Sequence, residues 1–208
     1  MKGSRIVIAF LMIFLTKIAW SQDPKIDSLK KVISNSTADS VTVNGLIELS
    51  GLYLSTDLDK AIAYGNQART IADKAGFQKG LAYAYKAIAL GYFNQSNYPE
   101  AIIQFQKSLD VFESIKFKTG ISNILSNLGA IYYYTGNNTK AIDYHLKSLK
   151  VSEEIKDKVR IGTSMNNIGS VYKSNPATVD KALEYFLKAL PIFEGVKYDA
   201  GIGTASGN

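Results

Sequence analysis

From Asp39 onward the chain repeats itself about every 40 residues, and a chain with that period folds as a stack of small units rather than around one centre. A hydrophobic residue, a small residue and a following tyrosine read Leu49-Ser50 with Tyr53, Ile88-Ala89 with Tyr92, Leu128-Gly129 with Tyr132, and Ile168-Gly169 with Tyr172. Each tyrosine is followed eight to ten residues on by an alanine: Ala61, Ala101, Ala141 and Ala182. Four full units occupy 39–79, 80–119, 120–159 and 160–200. Gly201-Ile202-Gly203-Thr204 restarts the phrase Arg160-Ile161-Gly162-Thr163, so 201–208 opens a truncated fifth unit.

Within a unit, apolar residues recur three and four apart, which predicts two amphipathic helices. The first carries Leu125, Leu128, Ile131 and Tyr132 in the third unit, and the second carries Ile102, Phe105, Leu109 and Phe112 in the second unit. Thr56-Asp57-Leu58-Asp59 and Tyr98-Pro99-Glu100 supply start signals for second helices: a side-chain cap, acids at the positive dipole end, and proline where its missing N–H costs little. The small column Ser50, Ala89, Gly129 and Gly169 lets paired backbones come close. Since Ala89 already stands there, Gly129 and Gly169 are expected to tolerate alanine but not leucine. The tyrosine column, recurring once per unit, is expected in the core. Pro191, between Leu190 and Ile192, is expected to bend or interrupt its helix near Leu187–Pro191.

Ahead of the array come Lys2 and Arg5, the apolar run Ile6–Thr16, and Ala19-Trp20-Ser21 with small residues where a signal peptidase reads. Residues 1–21 are therefore expected to be a cleaved signal peptide, the run being about half the ~20 residues that a spanning helix needs. Residues 22–38 read as a linker with a short capping helix built on Ile26, Leu29, Val32 and Ile33. The expected location is exported, periplasmic or secreted. The formal charge of +6 overstates the mature chain, where loss of Lys2, Arg5 and Lys17 leaves 21 basic against 18 acidic residues. Charge so small and so dispersed does not form the clustered basic face of a nucleic-acid binder. No later segment reads as a membrane span. With no cysteine, the fold stands on packing alone.

The residues for chemistry are sparse. His145, the sole histidine, falls in the column of Phe105 and Phe186 and reads as packed between helices with its polar edge to solvent. One histidine and no cysteine provide too few ligands for a transition-metal site. Glu153-Glu154 and Asp57 with Asp59 read as solvated helix ends, and no glycine loop is arranged to cradle phosphate. No active site, metal or cofactor is expected.

The order of small residue, tyrosine, alanine and aromatic in a helix-turn-helix unit resembles the tetratricopeptide repeat family. The 40-residue period, with asparagine before the hydrophobic-small pair at Asn127, Asn167 and Asn208, is similar to the subgroup that includes kinesin light chains and bacterial Rap-type regulators. Glu48 and Ala87 depart from that asparagine. The resemblance implies an all-α, right-handed solenoid of antiparallel helix pairs whose first helices line a concave groove. Mapped onto this chain, that face carries Asn44, Tyr83, Lys86, Phe93, Asn123, Ser126, Tyr133, Thr163, Asn166 and Lys173. It implies a protein or peptide partner and a scaffold without catalysis. Tyr133 and Tyr134 both flank the inward Tyr132, so at least one of them turns outward. The asparagines are expected to bridge backbone groups of the adjacent repeat. Of the five-residue clamp with which some members hold a chain's terminal carboxylate, only Lys86 and Asn127 match, while Leu90, Thr163 and Asn167 differ, so such capture is not expected. The opening unit, from Val43-Asn44-Gly45 to Lys60-Ala61, also resembles exported arrays in Bacteroidetes-type sensor proteins. That likeness implies an alternative: a sensory ectodomain whose output domain, a histidine kinase, cyclase or transcriptional regulator, lies beyond a possible membrane tether in a missing C-terminal portion.

Overall fold

A computed structural model describes residues 24–207, and all ten long elements among them are α-helices. They are α1 Pro24–Asn35, α2 Asp39–Tyr53, α3 Leu58–Lys74, α4 Gln78–Asn94, α5 Tyr98–Ser114, α6 Lys118–Tyr134, α7 Asn138–Glu154, α8 Lys158–Lys173, α9 Val179–Gly195 and α10 Asp199–Gly207. A 3-10 turn, Pro176–Thr178, precedes α9. Helices α2/α3, α4/α5, α6/α7 and α8/α9 are pairs, and each following inner helix packs on the outer helix before it, giving an α-solenoid. Helix α1 lies on α2, with Ile26 buried and Ile33 seated over Gly45. The expected signal peptide, residues 1–21, and Asn208 lie outside the described residues. No helix among those described is long and apolar enough to cross a membrane.

The turns explain the regular period. In six of the connections one residue takes the left-handed conformation, at Gly76, Ser96, Lys116, Gly136, Lys156 and Lys197; the α2/α3 and α8/α9 turns have none. Each is followed by a residue whose N–H returns to the helix just ended: Phe77 to Ala72 at 2.9 Å, Asn97 to Tyr92 at 2.9 Å, Phe117 to Phe112 at 2.9 Å, Asn137 to Tyr132 at 2.8 Å. This six-to-one bond closes the orphan carbonyls and reverses the chain in the fewest residues. The outer helices then start on Asp57, Asn97 and Asn137, whose side chains accept from the backbone N–H three residues on. Inner helices α4 and α6 start instead on Phe77 and Phe117, with no side-chain cap.

Two sequence expectations about the tyrosines and Pro191 are corrected. The tyrosine column is half-buried, because it sits at the ends of the inner helices where a phenol can keep its hydroxyl in water. Each ring stacks on a tyrosine of the paired helix: Tyr53 on Tyr64 at 5.5 Å, Tyr132 on Tyr144 at 5.3 Å, Tyr172 on Tyr185 at 5.8 Å. Lys60, Lys140 and Lys181 cover the first ring of each stack at 5.4, 5.0 and 5.6 Å. Tyr92 lacks this partner, since Gln104 stands in the second tyrosine's place. Pro191 does not interrupt α9, which runs from Val179 to Gly195 around it. Pro191 is exposed, so the carbonyl it leaves unpaired four residues earlier faces solvent, while Phe186, Ala189 and Phe193 hold the opposite face in place.

The small column is tighter than expected at its glycines. A Cβ on Gly129 would lie 2.6 Å from Cε1 of His145, and one on Gly169 would lie 2.5 Å from Cε1 of Phe186. Ala89 fits opposite Phe105 in its own unit, but that neighbour does not license alanine at the other two positions. Gly129→Ala should therefore lower stability by about 1–3 kcal/mol through overpacking, and Gly129→Leu by more. Urea denaturation of parent and variant checks this; an alanine variant with an unchanged midpoint would show that the imidazole yields freely.

Candidate functional site

The inner helices α4, α6 and α8 together carry most of the expected groove. Asn123 and Ser126 on α6 and Thr163 on α8 line one cavity of about 380 Å3, joined there by Asp157 and Arg160 at the start of α8 and by Ser122, Ser148 and Ser164. Tyr83 and Lys86 on α4 line a second, of about 180 Å3, with Ile47, Leu54 and Leu90. The two communicate electrostatically. Burial pushes the Lys86 ammonium below its ordinary pKa and the Arg160 charge pushes it further; burial raises the Tyr83 phenol, which the same guanidinium partly offsets. Asp157 is the one acid lining either cavity, and no acid pairs with Lys86 among the described residues.

The serines of the larger cavity are buried and bonded to one another. Ser148 Oγ donates to the Ser122 carbonyl at 2.9 Å, Ser152 Oγ donates to the Ser148 carbonyl at 2.8 Å, and Ser122 Oγ lies 2.6 Å from Ser152 Oγ. Ser164 Oγ is 3.1 Å from Ser148 Oγ. A hydroxyl layer thus occupies the junction of α6, α7 and α8; one unit earlier the counterparts of Ser122, Ser148, Ser152 and Ser164 are Ala82, Ser108, Phe112 and Ile124, where Ser108 Oγ alone donates, to the Ala82 carbonyl at 2.7 Å.

Residues 120–195 match the tetratricopeptide repeat family, and the whole array superposes on solved structures of that kind. Residues 120–195 carry tetratricopeptide repeats, and the described chain as a whole has the fold of such repeat arrays. No curated protein matches its sequence. It is similar to aspartyl phosphate phosphatase F from Bacillus subtilis, with a TM-score of 0.78 at 19% identity over 88% of this chain and 48% of that one. A Rap protein complexed with Competence and Sporulation Factor gives 0.78 at 16% identity over 86% and 51%. BtubC from P. vanneervenii gives 0.68 at 18% identity over 84% and 72%. The chain spans about half the length of the phosphatase and of the Rap protein. At such identities the likeness is one of fold.

Of the ten groove residues mapped through the repeat pattern, Asn123, Ser126 and Thr163 share the larger cavity, and Tyr83 and Lys86 share the smaller. Phe93 and Tyr133 are connected through Tyr134, whose ring is 5.4 Å from one and 6.0 Å from the other. Tyr134 is the more exposed of the adjacent pair, at 63% against 36%. Asn44, Asn166 and Lys173 belong to neither cavity. The conserved-looking amides of the repeat behave differently from expectation. Asn127 donates to the Asn123 carbonyl of its own helix at 2.9 Å, so it bridges no repeat; Asn167 does reach the preceding repeat, at 3.2 Å, but onto the Ser126 hydroxyl rather than the backbone. Ser122, Ser148, Asp157, Arg160 and Ser164 were not among the mapped residues, because the mapping followed the outward face of each inner helix and the cavity reaches behind it.

His145 is also placed differently. It is 2% exposed, wedged on Gly129, with Nδ1 unpartnered rather than turned to solvent. Burial lowers its pKa from 6.5 to about 4. The folded state therefore holds the neutral ring while the unfolded chain takes up a proton below about 6.5. The stability contributed by the neutral ring is present above that pH and is lost as pH falls towards 4, a loss of roughly 3 kcal/mol for the full shift. His145→Phe, matching Phe186 over Gly169, should lessen the fall in melting temperature between pH 7 and 4 (a range set on the order of these pKa values). Equal pH slopes for parent and variant would show that His145 is protonated in the folded state.

Proposed function

We propose that this chain is an exported scaffold that holds an extended peptide segment along the face of its inner helices, and that its own residues perform no reaction. The observation that carries the reading is the composition of the two cavities: amides, hydroxyls and two cations on one face, with a single acid, beside the aromatic group Phe93, Tyr133 and Tyr134. Amides and hydroxyls satisfy the N–H and C=O groups of an extended backbone, and aromatic rings supply apolar contact at little entropic cost. A Rap protein of the same fold has been solved complexed with Competence and Sporulation Factor, which supports a binding role for such an array. The serines have no histidine lining their cavity to act as base, and the one histidine is sequestered on Gly129. Export rests on Lys2, Arg5, the run 6–16 and Ala19-Trp20-Ser21.

Two measurements test the reading. Protein recovered from its own host should begin at Gln22; intact Met1 on the mature protein would remove export from the proposal. A random library of extended peptides panned on the protein should yield binders whose affinity drops roughly tenfold in Tyr133→Ala, a partly exposed aromatic whose loss should shift the melt little. Binders that hold equally well to the variant would place recognition elsewhere than on this face.

A further inference from the structure

The junction between the third and fourth repeats departs from the other three at two positions that touch each other, Asp157 and Arg160. At every junction the outer helix ends and the next inner helix begins through five aligned residues: Gly76-Phe77-Gln78-Lys79-Gly80, Lys116-Phe117-Lys118-Thr119-Gly120, Lys156-Asp157-Lys158-Val159-Arg160 and Lys197-Tyr198-Asp199-Ala200-Gly201. Three of them place an aromatic ring second and glycine fifth. The reason is steric: a Cβ on Gly80 would meet the Phe77 ring at 2.3 Å, one on Gly120 the Phe112 ring at 2.6 Å, and one on Gly201 the Phe193 and Tyr198 rings at 2.5 Å. In the second junction the seal is an aromatic triad, Tyr83 edge-on to Phe112 at 5.1 Å and Phe112 against Phe117 at 5.5 Å. In the last it is Phe193 against Tyr198 at 5.6 Å. One period on from Tyr83, Phe112, Phe117 and Gly120 stand Asn123, Ser152, Asp157 and Arg160. The plug is missing, and the cavity of about 380 Å3 is what its removal leaves.

The replacement residues are organised. Asp157 caps α8 by accepting from the Arg160 N–H at 3.1 Å through Oδ1, and its Oδ2 lies 3.0 Å from Arg160 Nε. That second contact is Coulombic only: the Nε N–H is not aimed at the carboxylate and remains a buried donor without an acceptor. Asp157 is thereby spent on the first turn of α8, while the guanidinium is held at the cavity with donor capacity to spare. Lys86 lines the neighbouring cavity on α4 and not this one. The unused N–H groups of the guanidinium suit a carboxylate, which accepts from such a planar fork.

We propose that this junction is a carboxylate pocket, in which Arg160 takes the side-chain carboxylate of an acidic residue in the peptide while Asn123 and the serine hydroxyls line the floor. This rests on the peptide reading above and names the residue class it selects. It is distinct from capture of a chain terminus, whose five-residue pattern this sequence lacks.

Binding of the full chain to extended peptides, acetylated and amidated so that no terminal carboxylate is present, tests it, with one position fixed as Glu or Asp or as Gln or Asn. Acidic peptides should bind at least roughly tenfold tighter than their amides, as expected for a charge-assisted pair. Arg160→Gln should erase that preference while leaving amide peptides bound. A second variant restores the plug of the preceding junction, Asn123→Tyr with Ser152→Phe, Asp157→Phe and Arg160→Gly; it should fold, since the second junction does, and should lose the same preference. Peptides that bind the parent without acid preference, or with a preference that survives both variants, would overturn the pocket and leave the groove standing. If no peptide binds, the groove reading fails, and free glutarate decides the rest: Arg160-dependent shifts in the NMR spectrum at Asn123 and Ser164 would support a pocket for a small free carboxylate, and their absence would overturn it.

Discussion

Everything in this array depends on how closely two helices can approach where a ring of one faces the backbone of the other. Phe112 lies on Gly120, His145 on Gly129, Phe186 on Gly169 and Phe193 on Gly162 and Gly201. Where the outer helix has no ring, the requirement reverses: Gly65 receives Ile88, and Ser50 uses the room to donate to the Ala61 carbonyl at 2.7 Å. Large and small residues exchange sides while their summed volume holds the spacing. Because most contacts join neighbouring helices, the array transmits order one step at a time, and the left-handed residue in the turns from α3 to α8 keeps those steps equal.

The fold was legible because periodicity reports packing directly. The small column, the first-turn alanines, and the Asp57 and Pro99 start signals each mark a place where the backbone must approach or begin, and each does so in the structure. What the columns could not convey was depth. Tyr132 recurs as faithfully as Leu128, yet Leu128 is enclosed on all sides while Tyr132 is covered by Tyr144 and Lys140 at the edge of the stack. Repetition marks an equivalent environment, and an edge repeats as regularly as a core. His145 misled for a related reason: its column predicted a ring position correctly, but whether its nitrogens met solvent depended on Gly129 across the interface.

The candidate site was legible only in part, and the reason is geometric. Sequence mapping followed one face of each inner helix, which found Asn123, Ser126 and Thr163, but the cavity is bounded as well by the end of one repeat and the start of the next. Its signal lay in the alignment of junctions, where Lys156-Asp157-Lys158-Val159-Arg160 breaks a pattern of aromatic and glycine kept by the other three. A repeat protein supplies its own reference. Departures from the repeat separate what a unit needs to stack from what one unit does differently.

Those departures carry a cost in the same currency as the packing. The buried face of α7 is Ala141, His145, Ser148 and Ser152, where α5 offers Ala101, Phe105, Ser108, Leu109 and Phe112, so that Ser148 keeps a serine while Ser152 replaces the Phe112 ring. Exchanging rings for hydroxyls forfeits apolar burial of about 1.5–3 kcal/mol for each large side chain, and the serine bonds recover only part of it, at about 0.5–1.5 kcal/mol each. In a stack held by nearest-neighbour interfaces, that deficit weakens the junction between the third and fourth repeats specifically. The apolar clusters on either side, around Phe105 and Phe112 and around Phe193, are the anchors that keep α6 and α8 in register across it. A polar cavity of this size is sustainable in the interior of the array because intact interfaces flank it; at an end, with one neighbour only, the same residues would fray.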